Sequence, residues 1–222
     1  MDQNNITGVQ QFAGKLQVVC SEGSAIAFDG VKSARGKIKV EGVGNRIEFS
    51  KDSLLNADIR IHGNNNKIIV GEGCAIRGQI LVKGNGQQVI VGEGTTFQSV
   101  YILCQESCNV TIGRWCMFSR DIEVRTTDAH SVVSKISGER LNAPASVSIA
   151  DHVWVSVGAL ISKGSVIPED TIVGANSFVN GIFNETSTII AGAPAKVVKK
   201  EVTWNRSRKS KFNDEELYFW KS

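Results

Sequence analysis

Residues 68–74 read IIVGEGC and residues 89–95 read VIVGEGT, the same phrase at a distance of 21 residues. The step continues in both directions. IAFDGVK (26–32), IEFSKDS (47–53) and VTIGRWC (110–116) hold the register, and Gly42, Gly63, Gly84 and Gln105 recur at the same interval. A fixed repeat of this length is the signature of a solenoid, in which each unit buries its apolar side only by stacking on the next.

Within a repeat the large apolar residues fall at steps of 6, 6 and 9, as in Phe49, Leu55, Ile61, then Val70, Ile76, Val82, then Val91, Phe97, Leu103, then Ile112, Phe118, Val124. A step of six is neither the 3.6 of a helix nor the 2 of a simple strand. It suits a chain wound round a triangular prism, with short strands on each face and one aliphatic side chain per face aimed at the axis. Strands of successive turns then pair in parallel about 4.8 Å apart. The three extra residues per turn, in HGNNNK and KGNGQQ, are expected to bulge outward at one corner, where Gly and Asn accept positive φ. Ser53, Cys74, Thr95 and Cys116 share one inward position.

The repeat breaks once, between Ile122 and Ser156. Beyond it the spacing is a pure six, Ile149, Val155, Ile161, Ile167, Val173 and Val179, with Ile190 opening a last partial turn that Pro194 closes. The expected fold class is therefore all-β, a parallel β-helix of about seven to eight coils. It carries one long protruding loop (125–148) in a domain spanning 1–198. A basic extension follows (199–222), in which DEELYFWK forms a short helix opened by Asn213 or Asp214, with Tyr218, Phe219 and Trp220 packing on the prism or on a neighbour.

Composition agrees: 41% hydrophobic, 7% aromatic and 22 Gly suit an ordered, turn-rich protein. No apolar run is long enough for a transmembrane segment, and the start MDQNNITGVQQFAGK lacks the features of a secretory leader, so the expected location is cytoplasmic. The five cysteines fit no zinc spacing and are expected as thiols. The net charge of +3 makes no case for nucleic acid. Six basic residues lie between Lys199 and Lys211 against one acid, Glu201, either a solvated tail or an attractor for phosphates or an anionic polymer.

Aliphatic residues every six places resemble the hexapeptide-repeat acyltransferases, left-handed parallel β-helices. RTTDAH (125–130), SGER (137–140), SIADHVWVS (148–156) and AGAPAKVV (191–198), in that order, resemble the sugar O-acetyltransferase branch, and within it the bacterial capsular polysaccharide enzymes that include the polysialic acid O-acetyltransferases. The resemblance implies acetyl-CoA as co-substrate with no metal, a sugar or polysaccharide acceptor, a catalytic histidine on the loop, and a homotrimer with sites between subunits.

Acetyl transfer to a hydroxyl needs a base, and histidine titrates nearest neutrality. His130 alone lies on the loop; His62 and His152 sit at repeat positions and are read as structural. Asp128, two residues before His130, shares a face with it in an extended segment and is placed to hold the imidazole, a task a backbone carbonyl also performs. Trp154 offers an apolar wall and one N–H donor. By the resemblance the oxyanion donor is the backbone N–H of Val157, although Ser156, Val157 and Ser131 differ from the Gly, Ser and Pro common in galactoside and maltose acetyltransferases. Lys163, Lys196 and the basic segment are candidates for the coenzyme's phosphates. Backbone at Ser156, Gly174, Ala175, Ala191 and Gly192 is the candidate for its pantetheine arm, beside Trp154. Competing readings are a zinc enzyme of the γ-carbonic anhydrase type, an inert or sugar-binding scaffold, and an acetyltransferase for a small sugar, a nucleotide-linked sugar or an antibiotic.

Overall fold

The structure, a computed structural model, describes residues 5–221; the first four residues of the leader reading lie outside it. Its chain winds as a left-handed parallel β-helix with three faces. Face one stacks eight strands, from Asn5–Thr7 through Ala25–Phe28, Arg46–Phe49, Lys67–Val70, Gln88–Val91, Val110–Ile112 and Val147–Ile149 to Val166–Ile167. A bridge from Val166 to Ile182 opens a ninth, partial coil. Face two includes Thr96–Phe97, Met117–Phe118, Trp154–Val155, Ile172–Val173 and Thr188–Gly192, and face three includes Val100–Gln105, Ile122–Arg125, Leu160–Ile161 and Phe178–Val179.

The axis is filled as the spacing predicts: Phe49, Val70, Ile76, Ile112, Phe118, Val155, Ile161 and Val173 are each at most 1% exposed. Every such side chain contributes roughly 1.5–3 kcal/mol by leaving water. The small inward column also forms. Ser53 Oγ donates to Gly71 O (3.0 Å), Cys74 Sγ to Gly92 O (3.0 Å), Thr95 Oγ1 to Gly113 O (2.8 Å) and Cys116 Sγ to Ala150 O (3.2 Å), each binding its coil to the next. Burial pushes the Cys74 thiol up to about 11 and the Cys104 and Cys116 thiols up to about 12, which gives these cysteines a structural place.

The structure adds to the spacing. In an N-terminal coil Phe49, Leu55 and Ile61 lie inward at the expected steps, and Ile59, which pairs with Ile80, lies inward as well. Faces two and three there form one bent strand of nine residues, as in Ala75–Lys83. The bend needs glycine: Gly78 has φ of 126°, and a Cβ on it would lie 2.1 Å from Val100 O. Face three consequently carries two inward columns. One runs Ile38, Ile59, Ile80, Ile102, Val124, Ile161, Val179 to the end of the prism. The other, Val40, Ile61, Val82, Cys104, stops at Thr126, where the loop departs. Leu103, expected inward, faces outward beside Leu81 and Arg125. In the apolar run Ile102-Leu103-Cys104 composition alone does not fix the register.

At the C-terminal end Ile190 is fully buried, and Pro194 marks a hairpin rather than a stop: Thr188–Gly192 pairs antiparallel with Ala195–Lys200. The expected helix is present over Asp214–Tyr218. Asn213 caps it in a reciprocal capping box with Glu216, where the two side chains satisfy N–H groups the first turn leaves open.

Candidate active site

The irregular loop spans 126–146, leaving face three after Arg125 and returning to face one at Val147. Polar staples hold its base. Thr127 Oγ1 donates to Glu106 and accepts from Ala129 N–H (3.0 Å), while Glu106 pairs with Arg140. Asn142 secures the other side: its Nδ2 donates to Asp128 Oδ2 (2.7 Å) and to His130 O (2.8 Å), and its Oδ1 accepts from Val132 N–H (2.8 Å). Lys163 donates to Asp128 and to Asn142 O (3.2 Å). Lys163 and then Asn142 hold the Asp128 carboxyl below its ordinary range; Arg140 and Thr127 do the same for Glu106.

These staples fix the His130 backbone and leave its ring alone. Ala129 takes a left-handed φ of 64°, and the exposed imidazole has no hydrogen-bond partner among the described residues. Asp128, expected to orient that imidazole, is engaged with Lys163 and Asn142. Lys163, expected at the coenzyme, anchors the loop in this chain. Asn142, which the sequence reading missed, makes three of the contacts, and no spacing rule marks an asparagine in an irregular segment. The loop also carries Val132, Val133, Ile136 and Leu141 to the surface, Ile136 at 100% exposure.

The other site residues gather on face two. Val155 pairs with Val173 and Val173 with Ile190, which sets Ser156, Gly174 and Ala191 side by side in the next position. Ala175 and Gly192 follow them, and Lys196 pairs across from Ala191. Ser156 N–H is taken by Val173 O (3.0 Å) and Gly174 N–H by Ile190 O (2.8 Å), so these two serve the ladder. Val157 N–H engages no partner among the described residues. Partly exposed Trp154 stands in the neighbouring column with Met117 and Ile172, above a groove lined by Arg77, Thr96, Gln98 and Ser119.

Followed the other way, the Ser156 column passes Ser119 and Gln98 to Arg77, Asn56, Arg35 and Lys15. This half has no acidic member, and Lys15, Arg35 and Arg77 have no carboxylate partner among the described residues. The loop and Trp154 are not brought together within one chain: the loop springs from the edge between faces three and one, and Trp154 lies on face two. Nor do the three histidines converge. His62 pairs with Glu41 in the N-terminal coils, His130 is exposed on the loop, and His152 is buried against Asp170.

The chain is similar to polysialic acid O-acetyltransferases. It is 31% identical over 105 residues to the one from Escherichia coli O1:K1 and 32% identical over 101 residues to the one from Neisseria meningitidis. Those segments cover 47% and 46% of this chain but only 34% and 47% of the relatives' own length. No family model matches the chain. Among solved structures, the polySia-specific acetyltransferase NeuO superposes with a TM-score of 0.84 at 26% identity over 89% of this chain and 85% of its own. The polysialic acid O-acetyltransferase OatWY gives 0.76 at 25% identity over 99% of both chains. The resemblance carried by the loop motifs is borne out, and with it the prism.

Proposed function

We propose that this protein transfers the acetyl group of acetyl-CoA to a hydroxyl of an acidic bacterial surface polysaccharide, with His130 as general base. The observation that carries the reading is the imidazole itself, exposed and unpartnered on a loop whose backbone is pinned on both sides by Asn142. A base needs a free ring nitrogen and a fixed position, and both are present.

In the proposed reaction His130 takes the proton of the acceptor hydroxyl as its oxygen attacks the thioester carbonyl. Charge gathering on the carbonyl oxygen is met by the free Val157 N–H. Collapse expels the CoA thiolate, which takes the proton from the imidazolium, so no acetyl-enzyme forms. Ser156, Gly174 and Ala191 form the low wall along which the pantetheine arm lies, with Trp154 at its reacting end and Lys196 toward its phosphates.

The acid-free half of the same column supports an anionic acceptor. Lys15, Arg35 and Arg77 rise along face two on rungs about 4.8 Å apart, on the opposite side of Trp154 from the small residues. The separation of loop and Trp154 within one chain supports a homotrimer in which the loop of one copy reaches face two of the next.

The test is CoA thiol release across acidic capsular polysaccharides, neutral oligosaccharides and small sugars, for wild type, His130→Ala and the charge reversal Arg35→Glu/Arg77→Glu. The reading expects acidic polymers to stimulate release, His130→Ala to lose at least about 100-fold, and the charge reversal to raise KM for the polymer alone. Stimulation by small sugars only would move the acceptor to that class. No release and no acetyl-CoA binding would leave a sugar-binding scaffold.

A further inference from the structure

The residues after Lys200 do not trail away from the prism. They fold back over the corner between faces one and two, and a buried histidine clamps them there. His152, 0% exposed and at a left-handed φ of 54°, lies flat between two indoles: Trp204 at 4.4 Å with 8° between planes, and Trp220 at 4.6 Å with 7°. Phe219 meets its edge at 5.8 Å, and Trp204 Nε1 donates to His152 O (2.9 Å). Trp204 and Trp220 are 5% and 2% exposed. Two indoles buried to this degree make a strong anchor.

The polar side of the clamp involves the strap directly. His152 Nδ1 donates to Asp170 Oδ1 (2.8 Å), and that buried carboxylate also accepts from Ser187 Oγ (2.8 Å) on the prism and from Thr203 Oγ1 (2.6 Å) on the strap. A buried carboxylate requires its donors, so strap and corner complete each other. Farther along, Arg206 donates to Thr96 Oγ1 (2.8 Å) and Cys116 O (2.9 Å), crossing two coils, and Thr96 lines the groove beneath Trp154. Trp204 approaches Trp154 itself, with ring centroids 6.0 Å apart. The rings Trp220, His152, Trp204 and Trp154 thus form one continuous contact from the strap to the site.

We infer that the C-terminal strap is the back wall of the site, and that His152 is a positioning residue which, through Trp204, holds the Trp154 indole in a single orientation. His152 touches no substrate in this scheme. It fixes the strap, the strap fixes the indole, and Arg206 seals the groove's edge at Thr96. The inference rests on the proposed role of Trp154, but the order of the indole is measurable without any activity.

The full chain is labelled with 5-fluorotryptophan, and the Trp154 resonance is assigned by its loss in Trp154→Phe. In wild type that signal should be single and sharp. In His152→Ala it should broaden or split, with tryptic cleavage after Arg206 or Arg208 accelerated about tenfold as the strap opens. The far-UV circular dichroism of the prism should persist. His152→Phe, which retains a flat ring between the indoles, should restore most of the sharp signal. Thr203→Val, outside the prism, should shift it the same way by less and serves if His152→Ala does not fold.

A Trp154 signal unchanged in both His152→Ala and Thr203→Val while the strap is cleaved faster would overturn the inference. So would equal cleavage in all variants. Where acetyl transfer is measurable, His152→Ala should lower kcat about tenfold with KM for acetyl-CoA within about twofold, the pattern of a misplaced group. A disordered indole in a protein that transfers no acetyl group would uphold the clamp and refute the proposed reaction.

Discussion

Two segments leave the prism, and they are secured by opposite means. The loop, 126–146, is exposed along most of its length and tied only at its base, by charges and amides around Asp128, Asn142 and Lys163. The strap, 201–221, buries two indoles against His152 and a hydroxyl against Asp170. Charged contacts near the surface are individually weak and leave a segment adaptable, whereas buried rings hold a segment in one place. Under the proposed function the two segments do different work: the loop would present a base to whatever lies across from it, and the strap would stiffen the wall that receives the substrate.

The prism sets the scale against which both are judged. Phe118→Ala, which empties a fully buried axial position whose ring meets that of Phe97 edge-to-face at 4.8 Å, should cost about 3–5 kcal/mol of stability, read as a fall in the chemical unfolding midpoint. A smaller loss would mean the axis repacks and is less rigid than the two attached segments require. Next in size is His130→Ala, expected to remove about 100-fold or more of the acetyl-transfer rate, roughly 2.7 kcal/mol, with no change in unfolding. A matching fall in stability would show the loop to be part of the scaffold rather than an addition to it.

Lys163→Met cuts the staple on Asp128 while leaving His130 intact. The rate should fall about tenfold through misplacement of the imidazole, with thermal unfolding unchanged. The same staple has a pH signature. Lys163 and Asn142 lower the Asp128 pKa in the folded chain, so the contribution of this carboxylate is complete above its ordinary range and is lost as pH falls through the folded value. Loop cleavage at Lys135 or Arg140 should therefore accelerate at acid pH before the prism unfolds. The smallest effect lies at the other end of the scale. The buried thiols, raised to about 11 and about 12, favour the folded state below the ordinary thiol pKa. Their contribution declines as pH rises from about 9 toward those values, so stability should drift downward there, with Cys74 and Cys116 unreactive to thiol reagents until unfolding.

Much of this was legible in the sequence because the repeat is written in side-chain volume. On faces one and two the expected axial residues from Phe28 to Val173 are all buried, and the inward set Ser53, Cys74, Thr95 and Cys116 follows, although face one adds a second inward column, Ile26, Ile47, Ile68, Val89 and Val110, that the spacing does not name. Face three was only half legible. Its two inward columns differ by two residues, and in Ile59-Arg60-Ile61 or Ile102-Leu103-Cys104 hydrophobicity does not say which one continues through the prism. In the site, His130 and Trp154 carried motifs, but their supports did not: Asn142 acts through an irregular backbone and His152 through rings from 52 and 68 residues away in the chain. Lys163 shows the limit most plainly, since a lysine on a regular face looks alike whether it awaits a phosphate or ties down an aspartate.

The central claim, that His130 of one copy serves the face bearing Trp154 of another, can be tested by complementation. His130→Ala and Trp154→Ala chains, each inactive alone, are co-expressed with different affinity tags, and mixed oligomers are purified through both tags. In a closed ring of three, every mixed oligomer has one interface of its three in which an intact histidine faces an intact tryptophan, so acetyl transfer should return to about a third of wild type. Mixed oligomers as inactive as either parent would contradict a site shared between copies.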